Sequence, residues 1–571
     1  MKRFDENGFR AIAWAPGADK VTWLLGAEDA VEFLKDNASR DELVIYASAG
    51  AVLIHGVLAP RAKVTPADQA DLLRSCVMPD DSWCIQKSWG GGQGHRIYLE
   101  PPLTHPGCKS LVSGEKLIFR RSFTGVETGP APIELSQKLV HSLGVYWVPE
   151  RSAYSRLDDK GDIEDVIRVI WLKPSGSEGS PVVVTILIKD LAAYMALSAM
   201  ALVLKFDFTR FEPKRFSGWE LDRQSQVKSA PDLFYNVGCA TNASYANGCM
   251  ILRPQVNVDE LVQQWKDEED PKKKRYARFK IQDWKNERNV EISCAPESLS
   301  NYFTKSDKPF ETSPAFFRPD VLARFKNDPE KYDLTDRTIS CRNAWYLKTY
   351  DINEAGQVHT YIGYLADLPY EEQLYWQSFN EWPKAPISKR AFENDFEGKF
   401  SSEYDPLHML RYKIRQLDEA SPPWWKARGD EIADAARYPA TDSVSEWGDE
   451  ILALDQLLVE GFLRKPLQKL VIDAGRTIDE RWQSLRLLQD YLETQGRNPD
   501  QAKALMEPLA KLHKLRTILK GHAAPSDRTA AAKRARTEYQ TLRAHYTALA
   551  GECDAAFVEI LKALNMAIDP D

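Results

Sequence analysis

Asn498 to His522 reads NPDQAKALMEPLAKLHKLRTILKGH. Asn498 offers an acceptor for the first free amides, Pro499 brings a φ suited to the first helical position, and Gln501 completes a capping box, so a helix is predicted from Pro499. Leu505, Leu509, Leu512 and Leu519 follow at helical spacing and give it one apolar face. Gly521 is expected to end it in the left-handed conformation of a C-cap, with His522 in a short loop before a second start signal at Ser526. Upstream, Ser443 and Glu446 have the spacing of a capping box, and Trp447, Ile451, Leu454, Leu458 and Phe462 form one stripe. Trp482, Leu485, Leu488 and Leu492 predict a second helix, the Asn498 helix is the third, and residues 527 to about 566 a long fourth. Short connections favour an antiparallel bundle over residues 430–571. The paired prolines Pro422 and Pro423, followed by Trp424 and Trp425, mark its near boundary.

The same stretch is the only one whose residue types suggest a definite chemistry. Arg516 and His522 stand six apart, and a continuous helix would turn them roughly 240° from each other. A break at Gly521 lets the imidazole fold back toward the guanidinium. An imidazole titrates near neutrality and suits proton transfer, while a guanidinium holds phosphate and offsets developing negative charge. Against this stands an ordinary helix end, where His522 caps carbonyls and Arg516 pairs with an acid.

Arg-x5-His on a helical bundle resembles the HEPN superfamily, whose ribonuclease members carry Arg-x4-6-His. The commonest form of that motif has a polar residue, often Asn, after the Arg; here it is Thr517. The resemblance implies metal-independent RNA cleavage, with the ribose 2′-hydroxyl attacking its own phosphate. It assigns His522 as general acid or base and Arg516 as the phosphate-holding group, and implies no cofactor. It also implies a homodimer, because such sites form between two bundles, and a toxin or antiviral role. His513 and Lys520 on the same helix, and His545 after Arg543, are candidates for an RNA-facing patch; an ordinary surface role is the plain alternative for the two histidines.

The whole chain bounds these readings. At 571 residues it has room for three or four domains, and 83 acidic against 75 basic residues give net charge −8. That balance excludes a constitutive nucleic-acid coat, so RNA contact must be local. Eight cysteines, at 76, 84, 108, 239, 249, 294, 341 and 553, contain no Cys-x2-Cys, which removes zinc-ribbon and thioredoxin-like readings. The apolar run from Leu191 to Leu204 is too short to span a bilayer and there is no leader pattern, so a cytoplasmic protein with reduced thiols and no membrane association is expected.

Four regions are expected: a mixed α/β domain over 1–150, a hairpin and helix domain over 151–265, an aromatic-rich α+β domain over 266–420, and the bundle. In the first, Gly90, Gly91, Gly92 and Gly94 lack the Lys-Ser/Thr of a phosphate loop and read as a hairpin. His55, His95 and His105 have no metal-ligand spacing. In the second, residues 166–172 and 181–188 bracket a Ser/Gly-rich turn, a helix follows over 189–200, and the acid-rich stretch 156–165 reads as a solvated turn. Lys272, Lys273, Lys274 and Arg275 form the strongest basic run, interleaved downstream with Tyr276, Phe279 and Trp284, a combination that RNA binding uses, although a solvated loop is the preferred reading.

Asp283, Lys285 and Glu287 approximate the Asp…Glu-x-Lys of magnesium-dependent nucleases without its order and spacing; Glu212 and Lys214 after Asp190 match a little better and leave a restriction-type nuclease as a minor alternative. Tyr302 to Phe400 resembles segments of large bacterial proteins, a likeness that names no activity. It contains a predicted hairpin that turns at residues 353–356. Arg318, Arg342, Trp345, His359, Tyr361, Trp376 and Lys384 there can line a groove or form an aromatic core with an Arg-bearing rim, and the second reading is preferred.

The sequence thus predicts an α+β chain, strand-rich domains first and a helical bundle last. The leading function is an HEPN-like endoribonuclease restrained by its N-terminal region. The alternative is a non-enzymatic scaffold or sensor that dimerises through the bundle and binds a protein partner encoded elsewhere.

Overall fold

A computed structural model describes residues 2–17, 19–75, 83–90, 92, 94–100, 102, 111, 113–120, 133–173, 180–214, 218, 225–240, 242–270, 272–335, 337–399, 404–521 and 525–566. His522, His105, Cys76, Cys108, Gly91 and the Ser/Gly-rich turn 174–179 lie outside these residues. The fold is α+β, in two compact units, Met1–Lys274 and Arg275–Asp571.

The first unit is organised by one antiparallel sheet of eleven strands. At its centre Glu42–Ala49 and Val52–Pro60 form a hairpin whose two-residue turn begins at Gly50, φ +51°, a sign of φ that glycine takes without penalty. Glu42–Ala49 then pairs with Val182–Leu187, and Val52–Pro60 with Met200–Phe211. Pairing therefore crosses the expected boundary at residue 150, and the two N-terminal regions share one core that includes Tyr46, Ile54, Val184 and Phe208. The buried Glu42 carboxylate ties the layers together: it accepts from Arg168 Nε and Thr185 Oγ1, each at 2.6 Å, and from the Phe4 amide at 3.2 Å. The glycine-rich segment is a hairpin, Cys84–Gly90 against Gly94–Glu100, and Ile188–Ser198 is the expected helix after a strand.

In the second unit, the sheet strands Arg278–Asp283, Pro314–Phe317 and Val358–Tyr361 pack over a core containing Phe325, Trp345 and Trp376. Asp351–Ile352 pairs with Val358–Tyr361 as the predicted hairpin. The bundle follows, and it differs from the expectation in three ways. It begins before the paired prolines, because Leu407, Leu410, Ile414 and Leu417 of the Pro406–Ala420 helix belong to its core. An additional helix, Arg464–Asp473, precedes Ser484–Thr494. The long fourth helix is two, Pro525–Tyr539 and Leu542–Ala563, separated at Gln540, whose φ is +69°. Thr541 caps the second of them, and Asp442 accepts both from the Leu542 amide at 2.7 Å and from Arg536 at 2.7 Å.

The organising helix spans Pro499–Lys520 with its capping box in place: Asn498 accepts from the Gln501 amide at 2.9 Å, and Gln501 accepts from the Asn498 amide at 3.0 Å. Leu509, Leu512 and Leu519 are buried, and each such side chain stabilises the fold by about 1.5–3 kcal/mol. The expectation of a left-handed Gly521 is overturned: its φ is −84° and ψ −162°, extended backbone. Glycine is needed there because a Cβ would collide with the Thr517 carbonyl. Among the described residues no helix is long and apolar enough to cross a membrane.

Candidate functional site

The Val444–Leu458 helix runs antiparallel to Pro499–Lys520, with Gly448 against the Lys520 side chain and Asp455 beside His513 and Arg516. Ser443 caps the first of these helices by accepting from the Glu446 amide at 3.1 Å. The Glu446 side chain does not close the predicted box. It accepts from the Ala440 and Thr441 amides, each at 2.8 Å, and pairs with Lys326 at 2.6 Å.

Asp455 is the centre of the site. Its side chain is fully buried, and burial pushes its carboxyl above the ordinary 3.8, outweighing the downward pull of His513 and Arg516. His513 Nδ1 lies 3.1 Å from Oδ1 and 3.3 Å from Oδ2, while Arg516 Nε stands 3.8 Å from Oδ2. With Asp455 ionised, the contact requires a proton on Nδ1, so Asp455 fixes the ring and leaves Nε2 for an outside partner. The His513 side chain is 47% exposed and Arg516 35%. Three residues apart, they share one helix face.

This arrangement places an oriented imidazole, which can move a proton, beside a guanidinium, which can hold an anion. The cations are also locally balanced. Arg516 reaches Glu460 at 3.5 Å and Lys520 pairs with Asp449 at 2.5 Å.

The other predicted residues are dispersed. Lys273 pairs with Asp267 at 2.6 Å, and Arg275 stacks on the Tyr370 ring at 4.5 Å in the second unit. The division between units thus falls inside the basic run, with Lys272 and Lys274 exposed on the first side. His545 is not an ordinary surface histidine: it is half-buried, edge-on to Trp447 and Tyr539, and burial lowers its pKa. Asp283 is fully buried, takes the Asn286 side-chain amide at 2.7 Å and pairs with Arg288, whereas Asp190 and Glu212 pair with Arg156 and Lys20. No group of three metal-ligating side chains gathers among the described residues. Trp345, His359, Tyr361 and Trp376 are buried, Arg318 stacks on Phe379 and Lys384 pairs with Glu381, an aromatic core with a basic rim.

Comparisons with family models, curated proteins and solved structures return no match. The site therefore stands on its own geometry. Sequence reading passed over Asp455, although a signal was there: it lies four residues after Ile451, inside the stripe whose other members are apolar. An acid on a buried face needs a partner, and the Pro499–Lys520 helix supplies two.

Proposed function

We propose that the C-terminal bundle is an HEPN-like, metal-independent endoribonuclease, with Arg516 on the scissile phosphate and an imidazole as general acid or base. The observation that supports this reading most is the Asp455–His513 contact with Arg516 on the same helix face. His513 Nε2 takes the 2′-hydroxyl proton, the 2′-oxygen attacks phosphorus, and the 5′-oxygen leaves with a proton from a second acid. The products are a 2′,3′-cyclic phosphate and a 5′-hydroxyl end. His522, the histidine of the Arg-x5-His motif, is the candidate for that second group. A cytoplasmic toxin or antiviral role, restraint by the N-terminal unit, RNA binding through His513, Lys520 and the 272–275 run, and assembly as a homodimer belong to the same proposal.

The test is cleavage of total RNA by the purified full chain in EDTA, with the new ends identified chemically. Cyclic phosphate ends that disappear in Arg516→Ala and in His513→Ala or His522→Ala support the proposal. Intact RNA, or activity that requires magnesium, refutes it.

One observation favours a second reading, a non-enzymatic scaffold or sensor. Asp455, Glu460 and Asp449 already neutralise Arg516 and Lys520, as in a helix interface stabilised by ion pairs. A stable dimer in light scattering together with unreactive RNA would select it.

A further inference from the structure

The second unit contains a cavity of about 380 Å³ walled by Arg411, Arg437 and Arg543, three guanidiniums brought from separate segments. Arg411 stands in the first turns of Pro406–Ala420, Arg437 follows the Gly429–Ala435 helix, and Arg543 opens Leu542–Ala563. What holds them is backbone. Arg543 donates to the Pro439 carbonyl at 2.9 Å, Arg437 Nε to the Asp434 carbonyl at 3.2 Å, and Arg411 to the Ala436 carbonyl. The Arg411 Nε is buried with no hydrogen-bond partner.

The acids at the wall are otherwise engaged. Asp405 caps its own helix through the Leu407 and His408 amides and accepts from Tyr438 Oη at 2.6 Å, while Asp434 pairs with Arg415 at 2.9 Å. Asp333 lies at the exposed margin. Lys326, the fourth cation, is already matched by Glu446 and Glu450 at 2.6 and 2.5 Å. Among the described residues, none of the three guanidiniums has a carboxylate within ion-pair distance.

Guanidinium stays charged at any physiological pH, and confining one without a counter-charge is costly unless something anionic arrives. Burial pulls the Arg543 pKa down, and Arg390 repels the same charge, while Tyr350 and the more distant Asp351 only partly offset them. Apart from Thr335 and His408, the rest of the wall is apolar and aromatic: the Tyr438 ring lies 5.4 Å from the Arg543 guanidinium carbon, with Leu322, Leu334 and Tyr350 around the same space. The volume lies within the usual range of about 300–1,000 Å³ for small-molecule sites.

We propose that this cavity binds a phosphate monoester carrying a planar or apolar group, of mononucleotide size. Its phosphate is gripped by Arg411 and Arg543, with Arg437 at the edge, and its ring lies against Tyr438. Several forked donors converging on one space suit a dianion with three terminal oxygens better than a single carboxylate.

Calorimetric titration of the full chain with adenosine monophosphate, inorganic phosphate and adenosine tests this. The monophosphate should bind at least tenfold more tightly than either fragment. Arg411→Gln and Arg543→Gln should each weaken it at least tenfold, and Lys562→Gln, at an exposed ion pair with Glu559 outside the cavity wall, should leave it unchanged. If Arg543→Gln fails to fold, Arg437→Gln and competition by sulfate replace it, each expected to lower the apparent affinity. No binding at millimolar concentration, or equal affinity in the Arg411→Gln and Lys562→Gln variants, overturns the proposal. Inorganic phosphate binding as tightly as the nucleotide overturns the part assigned to Tyr438. Binding is read without RNA, so the result is independent of whether the bundle cleaves.

Discussion

Asp455→Asn separates the proposed catalytic role of the bundle site from its structural one. The substitution keeps the shape and an acceptor for His513 Nδ1 but removes the charge that holds the ring at 3.1 Å and attracts Arg516 from 3.8 Å. A hydrogen bond to a charged group contributes about 1.5–3 kcal/mol and a neutral one about 0.5–1.5, so the loss to an imidazolium in the transition state is about 1–2 kcal/mol. At about 1.4 kcal/mol per factor of ten, kcat for RNA cleavage should fall about five- to thirtyfold. KM should stay level or drop, because Arg516 loses a competitor for the phosphate.

Stability should move the other way. Burial raises the Asp455 carboxyl above its ordinary 3.8, so the folded chain holds this proton more tightly than the unfolded chain. Its contribution is full below that value and is lost as pH rises through the folded pKa. At neutral pH the Asn variant should therefore be as stable as the parent or more so, with a flatter dependence on acid. A labelled oligoribonucleotide under single-turnover conditions, with urea unfolding between pH 3 and 7, reads both. Unchanged cleavage removes His513 from the chemistry. A loss above about 2 kcal/mol at neutral pH shows that the ion contact carries the helix pair, against the reasoning here.

Three further outcomes are expected. Asn498→Ala removes one half of the capping box and should lower stability by about 1 kcal/mol, seen as a lower thermal midpoint. Lys413 and Asp554 form an ion pair at 2.6 Å with both side chains buried, so Lys413→Met alone should cost about 3–5 kcal/mol by stranding the carboxylate, while adding Asp554→Leu should recover most of it. His359 is buried, accepts from the Ser388 amide at 3.0 Å, and burial lowers its pKa to about 4 from 6.5. The unfolded chain takes up this proton first, so stability should fall as pH drops from 6.5 toward 4, approaching about 3 kcal/mol, and His359→Gln should remove that slope in urea unfolding.

The sequence by itself determined the features that depend on neighbours a few residues away. The capping box at Asn498, the stripe from Trp447 to Leu458, and the hairpins at residues 84–100 and 351–361 each follow from local hydrogen bonding and a repeat of 3.6 or 2 residues, whereas Phe462, past the end of that helix, is placed by its bridge to Trp425. The place of Arg516 on the helix face is set by the same repeat. Only the tertiary structure decided which distant segments meet. Glu42–Ala49 finds Val182–Leu187 across more than a hundred residues, and the break at Gln540 answers to Asp442. Asp455 becomes a partner of His513 because two helices far apart in the chain run antiparallel. The same packing gathers Arg411, Arg437 and Arg543 around one cavity. Pairings of this kind depend on burying apolar surface and matching charge over the whole fold, and no window of neighbouring residues contains that information.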